Sequence, residues 1–140
     1  MTKNEIILLD RGCKNSSYVV EPENFGFIGK ETFHRFGKKL LREVAKNLNL
    51  VKGRYEIRSN RGGIAVSGEI TLHSENIYIQ LSKSITRNDM CILVRKVRGM
   101  KDYVGGANQY YSFNQLEKQG VEGLSDFARL VMGDKSFMSV

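Results

Sequence analysis

Glu69, Thr71 and His73 alternate with the apolar Ile70 and Leu72. In an extended strand, alternate residues share a face. A carboxylate, a hydroxyl and an imidazole would then stand on one side, the residue types used in general acid–base catalysis. The same alternation also describes the ordinary polar outer face of a half-buried strand. Gln80-Leu81-Ser82-Lys83 lacks the Glu-x-Lys of the common metal-nuclease core, and no paired carboxylates stand elsewhere. No serine occupies a Gly-x-Ser-x-Gly elbow. Gly26-Phe27-Ile28-Gly29-Lys30-Glu31-Thr32 precedes a helical pattern as a phosphate-binding loop does. Its glycine spacing is too short, however, and Glu31 separates Lys30 from Thr32, so nucleotide triphosphate binding is rejected. Two histidines and the separated Cys13 and Cys91 cannot supply a structural zinc site of normal spacing. Neither a metal nor a cofactor is expected.

Cationic side chains are the stronger signal. Arg35, Lys38, Lys39, Arg42 and Lys46 fall within one helical pattern, countered there by Glu31 and Glu43. Such a face can lie along a phosphate backbone and release its counterions. It can equally be the solvated side of a core-packed helix. A second group, Arg95, Lys96, Arg98 and Lys101, runs off an apolar strand into a glycine-rich stretch with Tyr103, Tyr110 and Tyr111. Alternation separates Arg95 from Lys96 and Arg98. Cations interleaved with aromatic rings suit single strands or RNA loops, where rings stack on bases. Within Asp102–Asn108, Gly105-Gly106 allows close backbone approach and an anion nest. A rigid structural loop would use the same residues.

Net charge points the same way. The 140 residues carry 22 Lys+Arg against 15 Asp+Glu, a formal charge of +7. This excess favours an acidic partner: nucleic acid, a nucleoprotein or, less readily, an anionic membrane. At 41% hydrophobic residues the chain can build one core. No apolar run approaches the ~18 residues of a membrane span, and no secretory leader pattern opens the chain. The expectation is a cytoplasmic protein with free thiols.

These residues need elements to position them. Glu5 to Leu9 reads as a short strand and Tyr18-Val19-Val20 as its possible hairpin partner. Phe33, Phe36, Leu40, Val44 and Leu48 recur at steps of three and four, predicting a helix over Glu31–Leu48. Gly37 inside it costs about 1 kcal/mol against alanine. Period-two segments follow over Tyr55–Arg58, Ile64–His73 and Ile77–Ser82, then a more continuous strand over Met90–Val97. Gly68 suggests a bulge. A weaker helical pattern begins at Leu116, and residues 134–140 read as a flexible tail. The expected fold is a single α+β domain over 1–133, a curved antiparallel meander on one long amphipathic helix with a short C-terminal helix.

Ser59–His73, with Arg61-Gly62-Gly63 and Val66-Ser67-Gly68-Glu69, and Arg98–Asn108, with Lys101-Asp102-Tyr103-Val104-Gly105-Gly106, resemble a small domain carried by phages and plasmids. Tyr55-Glu56-Ile57-Arg58 is similar to a strand of basic phage-encoded inhibitors of a CRISPR nuclease. The resemblance covers about the middle half of the chain, brings no catalytic residues and implies a mobile-element origin. Together with the charge it leads to a non-enzymatic binding protein engaging nucleic acid or a host nucleoprotein complex, of the kind that inhibits host defence as anti-CRISPR proteins do. Arg35, Lys38, Lys39, Arg42 and Lys46 would supply one surface; Arg95, Lys96, Arg98, Lys101, Tyr103 and Tyr110 another. The alternatives are a small nucleic-acid- or nucleotide-processing enzyme using Glu69, His73 and Tyr103, and a virion structural or assembly protein.

Overall fold

Five strands pair antiparallel in chain order: β1 (Tyr55–Asn60), β2 (Glu69–Ser74), β3 (Ile77–Ser82), β4 (Ile92–Lys96) and β5 (Gln109–Tyr111). Among the described residues three helices, α1 (Lys3–Lys14), α2 (Glu23–Asn47) and α3 (Phe113–Met132), complete this α+β fold. The computed structural model describes residues 1–14, 23–60, 68–82, 91–100 and 106–133, with side chains from residues 1–10, 31–60 and the three later segments.

Alternation decides which side of the sheet is filled. Ile70 and Leu72 of β2, Ile77, Ile79 and Leu81 of β3, and Ile92 and Val94 of β4 are fully buried. They form one cluster with Phe33, Leu40 and Val44 of α2, Leu116 and Leu124 of α3, and Ile6 and Leu9 of α1. The helices therefore cover one face, and the alternate strand residues stand on the other. β2 and β3 register as Leu72↔Ile79 and β3 and β4 as Ile79↔Val94, so the apolar rows meet across the sheet.

The sequence expectation fails at the N-terminus. Glu5–Leu9 lies inside α1, not in a strand. The Thr2 hydroxyl accepts from the Glu5 backbone N–H at 3.2 Å, and the Glu5 carboxylate accepts from the Thr2 N–H at 2.8 Å. This reciprocal capping box starts the helix, which then buries Ile6 and Leu9 one turn apart. The long helix begins at Glu23, eight residues earlier than expected, so Gly26–Thr32 is helical rather than a loop. β5 takes up residues read as part of an irregular stretch. The C-terminal helix is 20 residues long, not short. Its Ser112–Gln115 capping box starts it before the apolar period is visible, and it breaks direction at Gly120, where φ is 70°. Gly68, also at positive φ, precedes β2. Tyr18-Val19-Val20, Ile64, Val66 and residues 134–140 lie outside the described residues.

α1 is tied to α2 by an ion pair, Lys39 Nζ to Glu5 Oε2 at 2.6 Å. The Lys39 ammonium, then the Thr2 N–H, pulls the Glu5 carboxyl down to about 2. A carboxylate with a depressed folded-state value stabilises fully above its ordinary range and loses that contribution as pH falls toward the folded value. Glu5→Gln is therefore expected to unfold more readily than the parent at pH 7. The two melting curves should converge as the pH is lowered from about 4.5 to about 2. A constant gap between the curves over that window would rule the linkage out.

Candidate functional site

At about 100° per residue, Arg35, Lys38, Lys39, Arg42 and Lys46 fall within an arc of about 100° on α2. Phe33, Leu40, Leu41 and Val44 occupy the opposite arc and are fully buried. The core thus forces all five cations outward into one stripe. The eleven helical steps from Arg35 to Lys46, at ~1.5 Å each, make it about 16 Å long. Arg35, Lys39, Arg42 and Lys46 are exposed and Lys38 half-buried. Lys39 is neutralised by Glu5. Glu43, at the stripe's edge, takes the Met1 amino group instead. Among the described residues Arg35, Lys38, Arg42 and Lys46 make no ion pair; the Arg35 guanidinium lies 4.7 Å from the Phe36 ring centroid.

Partners from elsewhere hold the helix at its C-terminal end and on its inner face. Arg129 of α3 donates from Nη2 to the Asn47 carbonyl at 2.6 Å and from Nη1 to Asp126 at 2.6 Å. A cation there satisfies an orphan carbonyl and the negative end of the helix dipole. On the inner side, fully buried His34 meets Ser59 Oγ of β1 through Nδ1 at 2.6 Å.

The second cationic group does not form one surface. Arg95 pairs with Tyr78 in register on the helix-free face, its guanidinium 4.8 Å from the Tyr78 ring centroid. Lys96 is exposed at the end of the opposite, helix-covered side, beside Leu48, Leu50 and Met132. Arg98 is exposed beyond the strand, and Tyr110 stands on the helix-free face opposite Leu93. Period-two geometry separates neighbours that the linear sequence groups together. Lys101 and Tyr103 lie outside the described residues.

Glu69, Thr71 and His73 do share the helix-free face, as the alternation predicts. A strand rises ~3.3 Å per residue, so Glu69 and His73 stand about 13 Å apart along β2 and form no acid–base pair. The side chain directly across from His73 is Glu56, and that carboxylate binds Arg58 Nη2 at 3.1 Å. His73 Nε2 meets the Gly99 carbonyl at 3.2 Å. A carbonyl only accepts, so Nε2 carries the proton. The His73 ring meets Tyr78 edge-on, centroids 5.3 Å apart. Across four strands the row runs Glu56, His73, Tyr78, Arg95.

Above β1 and β2 this face forms a cleft of about 640 Å³, bordered by Arg58, Asn60, Glu69, Thr71, His73 and Tyr78. Sequence reading missed Glu56, Arg58, Asn60 and Tyr78. Their alternation was legible, but the register joining three strands was not. Among the described residues no three His, Cys, Asp or Glu side chains gather to hold a metal, and no helix is long and apolar enough to cross a membrane. No protein-family model, curated protein or solved structure matches this chain.

Proposed function

We propose that this chain is a non-enzymatic binding protein whose α2 stripe lies along a polyanion, a nucleic acid or the nucleic-acid part of a nucleoprotein. One observation carries the reading: five cations in a single arc, four of them without an ion pair among the described residues. Surface cations without carboxylate partners are the groups that exchange counterions for phosphates. The resemblance of Ser59–His73 and Arg98–Asn108 to a phage- and plasmid-borne domain supports a narrower form, an inhibitor of a host defence complex, working in the cytoplasm of the host.

The test is binding to labelled RNA and DNA across a salt series. The logarithm of affinity should fall linearly with the logarithm of salt. Changing Arg35, Lys38, Arg42 and Lys46 together to glutamine should flatten that slope by about 3–4 and weaken low-salt binding by roughly tenfold or more. These positions point away from the core, so the melting curve should hardly move. Unchanged affinity and slope in the quadruple variant would remove the stripe from the mechanism. Capture from host lysate, with and without nuclease treatment, then separates a bare nucleic acid from a nucleoprotein.

A further inference from the structure

The helix-free face carries a cleft apart from the α2 stripe. Its charges do not cancel. Glu56 and Arg58 neutralise each other at 3.1 Å, and the His73 Nε2 proton faces a backbone carbonyl. Glu69 remains: half-buried, and among the described residues with neither a hydrogen bond nor an ion pair to its carboxylate. Its carboxylate borders a cleft of about 640 Å³, within the size range of small-molecule sites.

The surroundings define what would fit. Asn60 is in register with Glu69, which puts their β-carbons ~5 Å apart on one face. Two carboxylate oxygens beside a carboxamide match a planar group with two adjacent N–H donors. Further along the cleft stand the aromatic edges of His73 and Tyr78, fixed against each other at 5.3 Å. Arg58, largely exposed at 72%, offers guanidinium donors from the same wall. A protein arginine tip would satisfy the carboxylate, but it leaves most of the cleft empty and brings a cation to a chain already at +7. A nucleotide answers the carboxylate, the carboxamide and the guanidinium: a base edge with paired N–H groups and a phosphate.

We propose that this cleft binds the guanine base of a nucleotide, with Glu69 accepting from the ring N1–H and the 2-amino group. Asn60 lies beside that edge, and Arg58 faces the phosphate. Guanine alone among the common bases presents those two donors side by side. The base can come from a free nucleotide or from a strand, and both share this chemistry.

Titration calorimetry of the full chain with guanosine, inosine and adenosine monophosphates tests it. The guanine nucleotide should bind most tightly, the inosine nucleotide less, and the adenine nucleotide roughly 10- to 100-fold more weakly. Glu69→Gln should erase that order, whereas the quadruple stripe variant should keep it. If Glu69→Gln disturbs the amide spectrum of the fold, Asn60→Ala reads the same edge and should narrow the guanine preference. A guanine-bearing trinucleotide that binds more tightly than the monophosphate assigns the site to a strand; equal affinity assigns it to free nucleotide. Equal binding of guanine and adenine nucleotides, no heat at millimolar ligand, or displacement of the guanine nucleotide by arginine methyl ester would overturn the assignment.

Discussion

Ile79→Ala is expected to lower the unfolding free energy by about 2–5 kcal/mol, the range for truncating a buried aliphatic side chain and leaving part of its cavity. Ile79 lies in the middle strand, fully buried between Leu72 of β2 and Val94 of β4. One residue along, Gln80→Ala should cost about 1 kcal/mol or less. Gln80 stands on the helix-free face, where it accepts from the Tyr78 hydroxyl at 2.8 Å, and a net hydrogen bond is worth about that much. Urea titrations of the two variants with unchanged slopes would give the comparison directly. Similar losses for both would mean that the sheet is covered equally on its two sides, and the cleft over β1 and β2 would lose its basis.

That contrast also marks what the sequence could and could not convey. The faces of β2, β3 and β4 were legible because period two needs only the strand itself. Ile70 and Leu72 alternate with Glu69, Thr71 and His73, and they divide between core and helix-free face as read. The helical stripe was legible for the same reason, with period 3.6 in place of two. Pairing was not legible. Glu56 meets His73, and Asn60 meets Glu69, only because β1 and β2 adopt one particular register, and a shift of one residue would have inverted every side chain. Glu69 and His73 share the helix-free face but stand too far apart along the strand to touch. Alternation already parted Arg95 from Lys96, and β4 places them on opposite faces. α1 was misread because Ile6-Ile7-Leu8-Leu9 is too short a run for periodicity to separate helix from strand. The deciding signal was polar: Thr2 and Glu5 at capping-box spacing.

Gly37 shows how tertiary contact reverses a local preference. Glycine inside a helix ordinarily costs about 1 kcal/mol against alanine, so Gly37→Ala on an isolated α2 would stabilise it. In the folded chain an added β-carbon would overlap Ile70 Cδ1 and lie 3.2 Å from Leu81 Cδ1. The glycine leaves the space that the Ile70 and Leu81 side chains occupy against α2. Gly37→Ala is therefore expected to destabilise the protein by about 1–3 kcal/mol, the usual penalty for overpacking a filled core. The overlapping atom is the one that valine lacks. Ile70→Val alone should cost about 0.5–1.5 kcal/mol, but adding Gly37→Ala to it should then cost little, or restore part of the loss through helix propensity. A double-mutant cycle by chemical denaturation reads this as a coupling that favours the pair. If the two changes simply add, the contact between Gly37 and Ile70 does not set the helix–sheet distance, and with it falls the account of how α2 is held with its cations outward.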